Sequence, residues 1–207
     1  MTHDRRLRPR HAIAVFARVP APGRVKTRLI PALGAAGAAA LHAHLIERTL
    51  AMARAVDGAA VRLWLAGELG GYQPPSGTDW SMQEGADLGA RMSGAFVATL
   101  ARVRACVLVG TDCPALRPEH LRRAFEELEQ TDVVVMPAED GGYVLIALTA
   151  PQPRLFEDIE WGGPTVMQAT RARIEAAGLR AAYLPALPDL DTPADLARAR
   201  AAGWLDT

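Results

Sequence analysis

The stretch HAIAVFARVPAPGRVKTRL, residues 11–29, decides the fold. Its first part, 11–18, is a short apolar run next to prolines, which predicts a buried strand. The loop that follows contains no acidic residue and carries several cations, Arg18, Arg24, Lys26 and Arg28. The whole chain carries 23 basic and 23 acidic residues, so this positive loop is a local feature that needs its own explanation.

Apolar runs alternate with helical segments along the rest of the chain. Further strands are predicted at 59–66, 105–110, 132–136, 143–148 and 179–185. Helices are predicted at 33–56, 87–103 and 117–130, within 162–178, and from 192 onward, where Thr192 and Asp195 form a capping pair. Because the strands are continuously apolar, they predict a mostly parallel sheet with helices on both faces, an α/β three-layer sandwich.

Length and composition exclude several classes of protein. We interpret residues 11–207 as one domain and residues 1–10 as a flexible basic tail. Zero net charge and 5% aromatic residues argue against a nucleic-acid partner. The apolar run after the tail is too short for a signal peptide or a membrane span. With only Cys106 and Cys113, we expect a cytoplasmic protein.

Ligands of open α/β sheets bind beyond the carboxyl ends of the strands, where the basic loop is expected. Pro22 and Gly23 permit a tight backbone path, and Arg24, Lys26 and Arg28 are suited to phosphate oxygens. Arg18 at the strand end and Thr111 of a later loop are further candidates for nucleotide and phosphate binding. The alternative is a solvated basic loop, because runs of charge usually face the solvent. The sequence contains neither the Walker motif nor the Gly-x-Gly-x-x-Gly fingerprint.

Acidic residues follow other predicted strands. Asp112 in the turn GTDCP (110–114) and Asp191 in PDLDTP (188–193) are candidate ligands for Mg²⁺ or Mn²⁺. The alternatives are an Asx-type turn at Asp112 and a capping acid at Asp191.

The turn AEDGGY (138–143) is a further candidate site, whose acids could orient the hydroxyl groups of a sugar or assist with a metal; in a transfer reaction it would bind the acceptor. It supplies Glu139, Asp140, Gly141, Gly142 and Tyr143, and its alternative is a hairpin-like turn with solvated acids. The histidines lack metal-ligand spacing, and we interpret them as surface or packing residues: His3, His11, His42, His44 and His120.

Five motifs carry a family resemblance over roughly residues 12–200: VFARVPAPGRVKTRL, QEGADLGARM, GTDCPAL, PAEDGGYVLIAL and DLDTPADL. In this order they resemble the radical-SAM/selenodomain-associated transferase 1 family, a domain of unknown function in the nucleotide-diphospho-sugar transferase superfamily. The resemblance implies a Rossmann-like GT-A fold. KTRL (26–29) is similar to a motif of 2-phospholactate guanylyltransferases, and DTPADL (191–196) to one of sugar-activating cytidylyltransferases, which supports Asp191 as a metal ligand beside Asp112.

These features predict a metal-dependent transferase that takes a nucleotide-activated donor and a small-molecule acceptor. The leading hypothesis is a glycosyltransferase with a nucleotide-sugar donor. The alternatives are a nucleotidyltransferase that uses a nucleoside triphosphate with a phosphorylated or sugar acceptor and releases pyrophosphate, and a non-catalytic nucleotide-binding module. The predicted catalytic residues are Lys26, Asp112 and Asp140.

Overall fold

A central sheet of seven strands organises residues 10–205, the part of the chain that the computed structural model describes. The strands are β1 His11–Arg18, β2 Ala59–Ala66, β3 Trp80–Met82, β4 Ala105–Val109, β5 Val133–Pro137, β6 Tyr143–Leu148 and β7 Ala181–Tyr183. Their spatial order is β3-β2-β1-β4-β6-β5-β7. Neighbours pair in parallel except where β6 lies between β4 and β5, to both of which it is antiparallel. The prediction of a mostly parallel sheet is confirmed.

Five α-helices cover the sheet: α1 Ile30–Arg54, α2 Leu88–Leu100, α3 Pro118–Glu127, α4 Val166–Ala176 and α5 Pro193–Ala201. Short 3-10 turns occupy Thr27–Leu29 and Pro153–Leu155. α5 begins with the predicted capping box, in which Thr192 and Asp195 exchange side-chain and backbone hydrogen bonds. The predicted sandwich is confirmed, because helices lie on both faces of the sheet.

Alternate residues of each central strand enter opposite cores. Ile13 and Val15 of β1 pack on the side of α1 and α3, whereas Ala14 and Phe16 pack on the side of α2 and α4. A third cluster joins the start of α1 to α5. Because both faces of β1 are buried, its sequence is continuously apolar instead of alternating.

The strand directions bring several loops together at the carboxyl ends of the parallel strands. β1, β2 and β4 are parallel and in register, with Arg18 opposite Ala66 and Val15 opposite Val109. β6 runs the other way, so its first residue, Tyr143, lies at the edge where β1 and β4 end. The basic loop, the turn after β4 and the β5–β6 turn therefore meet.

Some helices and strands differ from those predicted from the sequence. Strand β3 was not predicted, because its three residues lie on the sheet edge between a Gly/Pro-rich loop and a helix. α1 begins three residues before the predicted start, and Gly34 interrupts it with φ 70°. The predicted tail, residues 1–10, lies outside the described residues except for Arg10.

The helical segment Thr27–Arg54 is long and apolar enough to cross a membrane by length and composition alone. In the fold its buried residues, such as Ile46 and Leu50, pack against the sheet. A helix of the protein core that is rich in alanine has the same apolar composition, and these contacts identify the segment as such a helix.

Two glycines of α2 provide a matched test of the packing. A Cβ at Gly89 would lie 2.2 Å from the Phe156 carbonyl oxygen and 2.8 Å from the Trp161 indole nitrogen, whereas one at Gly94 would approach nothing closer than 3.7 Å. We expect Gly89→Ala to lower the free energy of unfolding by about 1–3 kcal/mol through overpacking. Gly94→Ala should raise it by about 0.5–1 kcal/mol through helix propensity. Urea denaturation of both variants checks this, and a loss of stability at both positions would contradict it.

Candidate functional site

A cavity of about 1040 Å³ lies at the edge of the sheet where the loops meet. Its lining includes the basic loop after β1, the turn after β4, the β5–β6 turn and the segment before α5. The sequence predicts ligand-binding residues in each of these four segments. The cavity is large enough for a nucleotide-sized molecule.

Lys26 stands at the centre of this arrangement. Only 2% of its side-chain surface is exposed, and its backbone is left-handed, with φ 48°. The ammonium lies 2.9 Å from Asp112 Oδ1 and 4.0 Å from Asp191 Oδ1, and it donates a hydrogen bond to the Leu190 carbonyl. A buried ammonium needs such partners, because an unpaired charge loses its hydration.

Hydrogen bonds tie the loops of the two candidate metal ligands together. The Leu190 amide donates to the Asp112 carbonyl over 2.7 Å, and Arg28 donates to Asp191 Oδ2 over 2.8 Å. The Asp191 amide in turn donates to Asp195, a member of the capping box, over 3.2 Å. The cap of α5 therefore positions the backbone of Asp191.

The carboxylates of Asp112 and Asp191 approach the same cation, the Lys26 ammonium. This ammonium marks a position where two carboxylates face one positive charge. Within residues 10–205, no group of three or more His, Cys, Asp or Glu side chains forms a metal site. Two carboxylates nevertheless fit Mg²⁺ or Mn²⁺, which commonly complete their coordination with water and substrate phosphates.

The other candidate phosphate-binding residues differ in position. Arg18 and Arg24 are exposed and line the cavity, and the buried Thr111 lines it as well. Pro22 and Gly23 form the tip of the loop and lie outside the lining. The charged side chains therefore lie in the cavity wall, whereas Pro22 and Gly23 determine the path of the backbone at the tip of the loop.

The candidate acceptor turn is a tight hairpin between β5 and β6. Asp140, Gly142 and Tyr143 line the cavity, whereas Glu139 forms an ion pair with Arg198 over 2.9 Å. Gly141 has φ 94°, and a Cβ there would lie 2.1 Å from the Pro164 carbonyl oxygen. Glycine at 141 thus permits the hairpin to pack against the loop that precedes α4.

His42 is buried, in agreement with the packing role that the sequence allows, and it also lines the cavity. Its Nε2 lies 3.0 Å from the Arg18 carbonyl oxygen and its Nδ1 lies 4.0 Å from Asp112 Oδ1. Burial lowers the pKa of His42, an effect that Asp112 partly opposes. Helical periodicity can indicate that a histidine lies on a buried face, but it cannot indicate that the face borders a cavity, so no direct signal in the sequence marks this residue.

The segment QEGADLGARM (83–92) contributes side chains that the sequence left without a role. The Gln83 amide nitrogen donates to the carbonyls of Ala17 and Trp64, over 3.1 and 2.9 Å, and so spans the ends of β1 and β2. Gln83 and Arg91 both line the cavity. Both residues lie in one of the five motifs that carry the family resemblance, and this was the available signal.

Trp161 also lines the cavity, beside the acceptor hairpin. Its ring lies edge-on to Tyr143, with the centroids 6.3 Å apart, and burial raises the pKa of the Tyr143 hydroxyl. The pair forms an aromatic wall next to Asp140.

Asp189, which is half-buried, faces three other carboxylates across the cavity. Burial, followed by the charges of Asp140, Asp112 and Asp191, raises the pKa of Asp189 to about 7, although Lys26 opposes the shift. This end of the cavity therefore brings four carboxylates close to the cations of the basic loop.

The raised pKa of Asp189 has a consequence for stability. Because its unfolded pKa is about 3.9, the folded protein binds more protons than the unfolded chain between about pH 4 and 7, and stability falls as the pH rises through this range. Asp189→Asn removes this effect. In metal-free buffer, its gain over the wild type should be about 2–3 kcal/mol larger at pH 8 than at pH 5.

Urea denaturation at the two pH values measures the gain. The exposed Asp57 gives the matched control, since Asp57→Asn should change stability equally at both. A gain from Asp189→Asn that does not depend on pH would contradict the prediction.

Known structures share this fold. A protein from Desulfovibrio desulfuricans G20, provisionally described as a nucleotide-diphospho-sugar transferase, is 32% identical with a TM-score of 0.83, covering 90% of this chain and 84% of that one. CMP:2-keto-3-deoxy-manno-octonic acid synthetase in complex with CTP is 14% identical, with a TM-score of 0.62 and coverage of 94% and 98%. The manganese complex of Rv0371c from Mycobacterium tuberculosis H37Rv is 19% identical, with a TM-score of 0.55 and coverage of 91% and 96%. At these lower identities, the last two show similarity of fold alone.

A search of curated proteins gave no match. The model of the family described as "Uncharacterized protein conserved in bacteria (DUF2064)" matches residues 37–163, more than half of the chain. This agrees with the resemblance to a domain of unknown function in the nucleotide-diphospho-sugar transferase superfamily. The chain belongs to the DUF2064 family and has the Rossmann-like fold of nucleotide-diphospho-sugar transferases.

Proposed function

We propose that this protein is a metal-dependent transferase that uses a nucleotide-activated donor, with a nucleotide-sugar as the leading candidate. One observation carries the proposal: Lys26, Asp112 and Asp191 meet at one end of a large cavity, and several arginines line the same cavity. The description of the Desulfovibrio relative, which is 32% identical, supports the same class of donor.

The basic loop would hold the phosphates of the donor. Arg24 and Arg28 present guanidinium groups at the cavity wall, and such groups bind phosphate oxygens through paired hydrogen bonds. Lys26 is the only lysine in the sequence. Its compact ammonium can contact a phosphate oxygen at a depth where a planar guanidinium would need more space.

Asp112 and Asp191 would hold Mg²⁺ or Mn²⁺, and the bound cation would neutralise charge on the donor phosphates. The chain's own contribution is positional. The Leu190–Asp112 hydrogen bond and the α5 cap hold the backbones of Asp112 and Asp191, and Lys26 and Arg28 contact their carboxylates, before a ligand arrives. Catalysis would depend on this preorganisation and on the cations that stabilise the leaving group.

The acceptor would bind between the hairpin and Trp161. Asp140 can accept a hydrogen bond from an acceptor hydroxyl, and the Tyr143–Trp161 wall offers an apolar surface for the rest of the molecule. Glu139 and Gly141 would support the hairpin through Arg198 and Pro164, as their contacts indicate.

Nucleotidyl transfer is the second candidate, and the sequence KTRL (26–29) supports it through its similarity to guanylyltransferases. The two reactions differ in their products. Transfer from a nucleotide-sugar releases a nucleoside diphosphate, whereas transfer from a triphosphate releases pyrophosphate.

Thermal denaturation with a panel of nucleoside triphosphates, diphosphates and nucleotide-sugars, with and without Mg²⁺ or Mn²⁺, tests the donor site. A ligand at one hundred times its dissociation constant stabilises a protein by about 2.7 kcal/mol. We expect a metal-dependent shift for the wild type, and the class of ligand that gives it identifies the donor. Assays for released diphosphate or pyrophosphate distinguish the two reactions from a binding module, which would release neither.

Variants locate the shift within the cavity. Lys26→Arg and Asp112→Asn should each weaken nucleotide binding at least tenfold, because the first adds bulk at a buried position and the second removes a carboxylate. Arg123→Gln on the exposed face of α3 is the control and should bind as the wild type does. Absence of a shift for every nucleotide, or an equal shift in the Asp112 variant, would refute the proposal.

A further inference from the structure

A second cavity, of about 430 Å³, lies between α1 and the start of α3. His44, Arg48 and Met52 of α1 face Leu116, Arg117 and Pro118 across it. None of its lining residues belongs to the first cavity. It is therefore a separate site on the molecule.

Two arginines that line this cavity donate to one carbonyl oxygen, that of Pro114. Arg48 donates to the Pro114 carbonyl over 3.0 Å, and Arg117 donates to the same oxygen over 2.8 Å and to the Leu116 carbonyl over 3.3 Å. Each guanidinium has five N–H donors, so most of them have no acceptor in the part of the chain that the structure describes. The remaining N–H donors of these two neighbouring, half-buried guanidinium groups can therefore bind an anion.

The surrounding charges do not neutralise the pair. Within residues 10–205, neither arginine forms an ion pair with a carboxylate. Glu47 lies at the rim and is exposed, and its charge also acts on Tyr72, whose pKa is raised mainly by burial and secondarily by Glu47. The His44 Nε2 atom is buried and has no hydrogen-bond partner among the described residues.

We propose that this cavity binds a phosphate group, either as inorganic phosphate or as the monoester of a small molecule. The planar forks of Arg48 and Arg117 match the oxygens of a phosphate, and His44 also lines the cavity. The volume exceeds that of a phosphate ion and leaves space for a small organic group.

The site also adjoins the turn that carries Asp112. Pro114, whose carbonyl holds both arginines, lies two residues after Asp112. A bound phosphate would share the guanidinium donors with this carbonyl and would therefore act on the backbone of the turn. The proposal does not depend on the nature of the donor or acceptor in the first cavity.

Isothermal titration with inorganic phosphate and with glycerol 3-phosphate tests the site. The double variant Arg48→Gln/Arg117→Gln should weaken binding at the second cavity at least tenfold. Arg24→Gln/Arg28→Gln, which removes cations from the first cavity, should leave this binding intact, and Arg123→Gln should not differ from the wild type. Tighter binding of the ester than of inorganic phosphate would identify an organic ligand, and equal binding would identify the phosphate alone.

The His44 ring resonances of the wild-type protein give a second readout that does not require a variant to fold. They should shift on titration with phosphate. Binding that only Arg24→Gln/Arg28→Gln removes, or a His44 signal that phosphate leaves unchanged, would overturn the proposal.

Discussion

The burial of one ammonium group governs the architecture of the cavity. Lys26 is held away from solvent and needs acceptors from outside its own loop, which it finds in Asp112 and the Leu190 carbonyl. Its left-handed backbone is a strained conformation for a residue with a side chain, with a cost on the order of 1–2 kcal/mol. Three loops that are distant in sequence are thereby fixed around one charge, on the side of the sheet where ligands of such folds bind.

The antiparallel direction of β6 decides which residues the β5–β6 hairpin brings to the cavity. In a purely parallel arrangement, the hairpin after β5 would be replaced by a long crossover, and Tyr143 would not start a strand beside the end of β4. The antiparallel strand places Asp140 and the Tyr143–Trp161 wall across from the basic loop. The cavity therefore has the basic loop with its paired carboxylates in one part of its wall and the hairpin with its aromatic residues in another.

Much of this could be predicted from local pattern. Continuous apolar runs identified β1, β4 and β6 because both faces of these strands are buried, and Thr192 with Asp195 identified the start of α5 because capping depends on residues close in sequence. The edge strand β3 was missed, since three half-exposed residues carry no periodicity. His42 and Gln83 were also left without a role, because their importance depends on which loops surround them.

The sequence by itself determined the class of fold, the positions of most helices and strands, and the residue types available at the loop ends. Those properties follow from burial patterns, capping and turn chemistry, all of which act over a few residues. The tertiary structure alone decided that Lys26 lies between Asp112 and Asp191, that Glu139 pairs with Arg198, and that two arginines share the Pro114 carbonyl. These contacts join residues up to 165 positions apart, and only strand order and direction bring them within a few ångströms.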